Sequence, residues 1–188
     1  MPALPDQIRD TVKIENVVTS ADIECDLDLA ALHSDLAQSQ YNVEQFPGLI
    51  YRSDDPKVTI LVFRSGKIVC TGSQSLEGSK EALDDLLSQF DELGLEYTDP
   101  ELTVQNIVGV ADLGEALNLN AIAIGFGLEK TEYEPEQFPG LVYRIDEQPT
   151  VPLIFGSGKM VITGGKNTDD VSAGVDHVYQ TLHEYSLI

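Results

Sequence analysis

Two segments of the chain carry the same set of chemically active side chains. Glu44–Arg52 reads EQFPGLIYR and Glu136–Arg144 reads EQFPGLVYR, identical at eight of nine positions and 92 residues apart. The same offset relates Phe63–Gly72 (FRSGKIVCTG) to Phe155–Gly164 (FGSGKMVITG), identical at seven of ten. Near the start of each copy, Glu15-Asn16-Val17-Val18 corresponds to Gln105-Asn106-Ile107-Val108 at an offset of 90, so the second copy has two extra residues before its EQFPGL segment. The repeated groups are aromatic rings, amides, hydroxyls and cations. They can stack, donate hydrogen bonds and pair with anions, which is the chemistry of recognition rather than of bond-making.

The residues that could make or break bonds form no constellation. No nucleophile stands in a pattern with a base. His33, His177 and His183 lie in helical segments without paired metal-ligand spacing, and Cys25 and Cys70 have no CxxC spacing, so neither a metal nor a disulfide is expected. The Ser-Gly-Lys stretch lacks the GxxxxGK[ST] pattern of a phosphate loop. Pairs such as Asp84-Asp85 and Asp91-Glu92 read as solvated helix face. The expectation is a binding protein without catalysis or cofactor. A pocketed enzyme would need polar groups converging inside a cavity, and the doubled Phe/Val/Leu set offers none.

Each copy must contain strands and helices that position these groups. Thr11–Ser20, Gln45–Arg52, Val58–Arg64 and Lys67–Thr71 are rich in Val, Ile, Thr, Tyr and Phe and bounded by Gly, Pro, Asp and Ser, which predicts strands. Ser65-Gly66 and Ser157-Gly158 predict hairpin turns. Leu83, Leu86, Leu87, Phe90 and Leu93 recur at helical spacing, as do Val171, Val175, Val178, Leu182 and Tyr185. A shorter helix is predicted after Asp28, with Leu29, Leu32 and Leu36 inward, and its counterpart after Asn118, with Leu119 and Ile122 inward; Asp28 and Asn118 are suitable N-caps.

Strand side chains alternate between faces, so parity sorts them. One face carries Val17, Leu49, Val62, Ile68 and Cys70, the expected core beneath the helices. The other carries Asn16, Val18, Phe46, Arg52, Leu61, Phe63, Lys67, Val69 and Thr71, with Asn106, Val108, Phe138, Arg144, Leu153, Phe155, Lys159, Val161 and Thr163 as repeat partners. With all helices assigned to the first face, the second is left uncovered, and a broad apolar surface of this kind marks an interaction site.

Composition sets a condition on the partner. With 32 acidic and 11 basic residues the net charge is −21, a balance that argues against nucleic acid unless the cations are concentrated where they are needed. Four of the 11 basic residues, Arg52, Lys67, Arg144 and Lys159, fall on the uncovered face. A carboxylate-rich remainder suits a very salty cytoplasm. Hydrophobic residues make up 42% of the chain, enough for a packed core, and no apolar run is long enough to span a membrane, so a cytoplasmic protein is expected.

These doubled motifs, EQFPGL(I/V)YR, (V/I)F-x-SGK-x-V-x-TG and x-N-(V/I)-V, resemble the TATA-box-binding protein family, from about Thr11 to Tyr185, in a form that points to an archaeal, halophilic member. The resemblance implies an α+β fold: a pseudo-two-fold saddle of two tandem repeats, with a curved antiparallel sheet of about ten strands and four helices on the convex face. Residues 1–10 would be an N-terminal tail, 11–98 the first repeat and 99–188 the second, the two forming one structural domain. It further implies a general transcription initiation factor that binds the TATA-box promoter in the minor groove, bends the DNA, and assembles with transcription factor B and, through it, RNA polymerase. A homodimer off DNA is among the assemblies it allows, and a related adaptor with weak or no DNA binding is the alternative.

Residue by residue, the resemblance makes Phe46, Phe63, Phe138 and Phe155 wedges that enter base steps. Asn16 and Asn106, with Thr71 and Thr163, become hydrogen-bonding partners of the bases, lying on an apolar floor of Val18, Val69, Val108, Val161, Leu61 and Leu153. Arg52, Arg144, Lys67, Lys159, Ser65 and Ser157 become phosphate contacts, and Glu134, Glu136 and Gln137 the contact for transcription factor B. Gln74 stands where the second repeat has Lys166, so the two halves differ in phosphate-pairing capacity.

Overall fold

A computed structural model, describing residues 2–188, folds this sequence into ten strands and five helices. The chain divides into two units, Asn16–Gln105 and the segment up to Glu15 together with Asn106–Ile188. The elements in chain order begin with α1 (Asp6–Arg9), β1 (Lys13–Asp22), α2 (Leu29–Asp35), β2 (Ser39–Gln40), β3 (Leu49–Asp54), β4 (Lys57–Val62), β5 (Lys67–Ser73) and α3 (Leu76–Glu92). They continue with β6 (Thr103–Asp112), α4 (Leu119–Phe126), β7 (Thr131–Glu132), β8 (Gly140–Tyr143), β9 (Val151–Phe155), β10 (Lys159–Gly165) and α5 (Thr168–Glu184).

In the first unit the strand order is β2-β3-β4-β5-β1, and in the second β6-β10-β9-β8-β7, with neighbours antiparallel. Every second residue is buried: Leu49, Tyr51, Val58, Ile60, Val62, Ile68 and Cys70 in the first unit pack with Leu83, Leu86 and Phe90 of α3 and Leu29 and Leu32 of α2. In the second unit Leu141, Ile154, Met160 and Ile162 take the same role beneath α4 and α5, whose Ile122, Val171, Val175, Val178 and Leu182 are buried. Burying each such aliphatic side chain contributes about 1.5–3 kcal/mol, which fixes the parity of every strand. No helix among the described residues is long and apolar enough to cross a membrane.

Helix starts follow the predicted caps. The Asp28 carboxylate accepts from Ala31 N–H at 3.1 Å, and the Asn118 amide oxygen accepts from Ala121 N–H at 3.1 Å. Three features differ from the sequence expectation. A fifth helix, α1, lies in the segment read as a tail, held by burial of Leu4 and Ile8. The segment read as a strand from Gln45 begins only at Leu49, because Gln45 and Phe46 donate back to Asn42 O at 3.0 Å each and form a turn ahead of Pro47. Leu93 and Tyr185, read as part of the helical stripes, are C-cap residues, 41% and 52% exposed, because α3 and α5 have ended.

The innermost hairpin strands each carry a bulge. Val17 pairs with Ser73 and Thr19 with Cys70, so Thr71 and Gly72 of β5 oppose the single Val18 of β1; Ile162 pairs with Gly109 and Gly165 with Ile107, so Thr163 and Gly164 oppose Val108 in the same way. The extra residue is accommodated by Gly72 (φ 91°) and Gly164 (φ 88°), a backbone region that side chains rarely enter. A Cβ on Gly164 would also meet Pro149 O, whereas on Gly72 it would meet nothing nearer than 3.9 Å.

Under the second unit's sheet, Tyr143 Oη lies 3.1 Å from His177 Nε2 with the rings stacked. Burial first, and then the nearby Lys130 cation, hold the His177 imidazole below its ordinary value, while Glu184 opposes them. Lys130 itself is paired with Asp146 at 2.6 Å.

Two outcomes are expected. Gly164→Ala should destabilise by about 2–4 kcal/mol and Gly72→Ala by about 1–2 kcal/mol in denaturant titrations, the difference measuring the collision with Pro149. Because the folded pKa of His177 is depressed, its contribution is present above the unfolded value of about 6.5 and is lost as pH falls through the folded value. Unfolding midpoints should therefore drop on acidification below that range, and His177→Gln should flatten the profile.

Candidate nucleic-acid interface

The face opposite the helices is built by strand register. In the first unit Ser20 pairs with Val69, Val69 with Leu61, and Leu61 with Ile50, giving a row across four strands. In the second, Val110 pairs with Val161, Val161 with Leu153, and Leu153 with Val142. All of these, with Val18 and Val108, are half-buried, as expected for an apolar surface that nothing in its own unit covers. Ile50, Val142, Ser20 and Val110 were not singled out from the sequence. Parity places them there once Leu61 and Val69 are assigned, so the signal existed.

Beside each row, two residues along the strand from Leu61 and Leu153, stands an aromatic pair. Phe46 and Phe63 meet edge to face with centroids 5.8 Å apart and planes at 62°; Phe138 and Phe155 repeat this at 5.8 Å and 69°. Phe63 directly follows β4 and Phe155 ends β9, whereas Phe46 and Phe138 come from the turns before β3 and β8. Phe46 thus reaches this face from a turn and not by strand alternation. An exposed aromatic pair is unfavourable in water, and Phe138 is 39% exposed.

Further in, the bulges set the amides. Asn16 Oδ1 accepts the Gly72 N–H at 2.8 Å and Asn106 Oδ1 accepts the Gly164 N–H at 2.7 Å. A backbone N–H can only donate, so the amide oxygen must face the bulge and the NH2 must face the other way. Asn16 Nδ2 then donates to Thr71 Oγ1 at 3.2 Å, and Asn106 Nδ2 to Thr163 Oγ1 at 3.2 Å. One N–H of each amide remains, together with the hydroxyl hydrogen of Thr163, while the Thr71 hydroxyl donates to Asn16 Oδ1 at 3.5 Å. Each unit therefore presents a donor on an apolar floor.

The cations lie at the margins. Arg52, Lys67, Ser65, Arg144, Lys159 and Ser157 are all exposed. A groove of about 650 Å³ beside Phe63 includes Ser65, Lys67 and Val69, with Asp22 and Glu101 in its wall. One of about 770 Å³ beside Phe155 includes Ser157, Lys159 and Val161, with Asp10, Glu15 and Asp112. The two arginines differ. Arg52 touches only the neutral Thr59 and Gln40, each at 3.5 Å, whereas Arg144 is bonded through Nε and an Nη to Glu132 at 3.1 and 2.9 Å. Glu132, where the first repeat has Gln40, was not foreseen as a competitor for that cation. Glu134, Glu136 and Gln137 are exposed on the turn ahead of Phe138, where Gln137 and Phe138 N–H donate to Glu134 O at 2.9 Å.

The family model described as transcription factor TFIID, or TATA-binding protein, matches this chain twice, over residues 11–93 and 101–185. The chain belongs to the TATA-binding protein family. Among its relatives, TATA-box-binding protein 1 of Haloferax volcanii is 56% identical over 96% of both chains. TATA-box-binding protein E of Halobacterium salinarum is 54% identical over 96% of this chain and 97% of that one, and the Archaeoglobus fulgidus TATA-box-binding protein is 52% identical over 94% and 97%. The solved Methanococcus jannaschii TBP superposes with a TM-score of 0.82 at 45% identity, covering 92% of this chain and 98% of that one. The TATA-binding protein fold is therefore shown for nearly the whole chain, and the aromatic and amide groups of the uncovered face lie on family segments.

Freeing Arg144 should be measurable. Glu132→Gln is expected to tighten binding to a duplex at low salt and to steepen the fall of log affinity with log salt by up to about one, the share of one phosphate contact. An unchanged slope in a filter or anisotropy titration would mean that Arg144 meets no phosphate.

Proposed function

We propose that this protein is a general transcription initiation factor that binds TATA-box DNA through the minor groove, bends it and carries out no catalysis. The observation that carries this reading is the pairing, in each unit, of a partly exposed Phe pair with an amide whose free group is a donor. A·T and T·A pairs present only acceptors in the minor groove, whereas guanine adds an amino group. Donors on an apolar floor accept the first and collide with the second. Phe46 with Phe63, and Phe138 with Phe155, enter base steps as wedges, the device for which this family is the standard example, and flexible TA steps lower the cost.

In this reading Asn16, Asn106, Thr71 and Thr163 contact bases over Val18, Val69, Val108, Val161, Leu61 and Leu153. Arg52, Lys67, Lys159, Ser65, Ser157 and, once released from Glu132, Arg144 hold phosphates. The two repeats act as one binding body, and the exposed Glu134, Glu136 and Gln137 receive transcription factor B, through which RNA polymerase is recruited. The protein works in a salty archaeal cytoplasm, where its carboxylates remain hydrated. Because carboxylates line both grooves beside the Phe pairs, DNA binding takes up cations there, which offsets counterion release from the phosphates.

The test is binding to a TATA duplex and a G·C-substituted control from low to multimolar KCl, with end-to-end distance followed by energy transfer. Selective binding with shortening, and a shallow or inverted salt slope, is expected. Phe138→Ala/Phe155→Ala should abolish most of the shortening at that end while changing the unfolding midpoint little. Folded protein that binds neither duplex at any salt would favour the adaptor reading instead.

A further inference from the structure

The two repeated Phe-Pro-Gly segments hold glycines whose requirement is spatial and not conformational. Neither Gly48 nor Gly140 adopts a left-handed φ, so the backbone alone would accept any residue there. Both are buried. A Cβ on Gly140 would lie 2.7 Å from Phe138 Cε1, 3.1 Å from Phe138 Cζ and 3.0 Å from Phe155 Cε1. On Gly48 it would lie 2.7 Å from Phe46 Cε1 and 3.2 Å from Phe63 Cε1, with Val62 O also at 3.2 Å. Real Cβ atoms essentially never approach within 3.0 Å, so the 2.7 Å approaches to Phe46 and Phe138 would force those rings to move, and the approaches of 3.0 and 3.2 Å to Phe155 and Phe63 are tight. The rings of each pair therefore occupy the volume that a side chain would take.

Register explains the arrangement. Gly140 pairs directly with Phe155 across β8 and β9, and Leu49 with Val62 across β3 and β4, which sets Gly48 opposite Phe63. A strand glycine opposite an aromatic lets the ring lie down over the backbone, and here a second ring arrives from the preceding turn and covers the same spot. The edge-to-face contact at 5.8 Å in both units follows from this shared floor.

We infer that Gly48 and Gly140 are positioning residues for DNA bending: the absence of a side chain seats each Phe pair in the pose from which it wedges a base step. The inference rests on the DNA-bending reading for its consequence, but the seating of the rings is a property of the free protein. At Gly140 the three nearest atoms all belong to the outer part of a Phe ring, the far end of a flexible side chain. Alanine there displaces the wedges and spares the core.

The experiment uses Gly140→Ala in the full chain, with Gly48→Ala as the independent copy in the other unit. Free-protein NMR with ring-labelled Phe should lose the Phe138–Phe155 ring-proton contacts in Gly140→Ala and keep those of Phe46–Phe63, while the unfolding midpoint stays close to that of the parent. On a TATA duplex, binding should weaken about tenfold and energy transfer should report less shortening, as expected when wedging at one end is impaired. A Phe138→Leu background, which lacks the outermost ring atoms, makes the dependence specific: Gly140→Ala should cost less there than in the parent. Unchanged ring contacts and unchanged shortening in Gly140→Ala would overturn the inference, as would strictly additive effects with Phe138→Leu. A parent protein that does not shorten the duplex would refute the DNA reading separately, and the ring contacts would still decide the seating.

Discussion

In each unit both long-range packing partners of the sheet lie on one side. The helices α2 and α3, or α4 and α5, bury one parity of every strand, and that burial supplies most of the stability available to a unit of this size. The opposite parity is thereby committed to the other face with no element of the unit to cover it. Its composition reflects that commitment: valine, leucine and isoleucine at half-burial, small hydroxyls and amides, and no carboxylate within the central rows. A surface of this kind gains most when a partner excludes water from it.

The orientation of the outward-facing amide depends on a local backbone defect. The bulge at Thr71-Gly72, and its copy at Thr163-Gly164, turns a backbone N–H toward the neighbouring strand's asparagine and so decides which end of the amide faces outward. Replacing either glycine would disturb the sheet and the donor together, which couples fold to recognition. Charge is handled in the same economical way. The chain is strongly acidic, yet its open faces are flanked by lysine and arginine, and the Arg144–Glu132 pair leaves one of these cations partly neutralised.

Much of this was legible in the sequence. The 92-residue offset exposed the duplication, helical spacing located α3 and α5, and parity separated Ile68 and Cys70 from Val69 and Thr71. Both helix caps at Asp28 and Asn118 could be read from residue type. What escaped depends on long-range geometry. The turn that delivers Phe46 uses a backbone bond to Asn42 and leaves no periodic trace. The bulges need the register of two strands far apart in sequence, and the Arg144–Glu132 pair depends on β7 lying beside β8. The packing of α1 depends on Leu4 and Ile8 finding the second unit, which no local pattern announces.

The central claim is that an outward donor on an apolar floor reads the minor groove, and base analogues test it most directly. Replacing adenine by 2,6-diaminopurine adds a minor-groove amino group to A·T pairs and leaves the major-groove edge unchanged, while replacing guanine by inosine removes that group from G·C pairs. Diaminopurine substitution in a TATA duplex should abolish tight binding, and inosine substitution in the G·C control should restore a large part of it. Affinity that follows the major-groove pattern and ignores the amino group would contradict the claim.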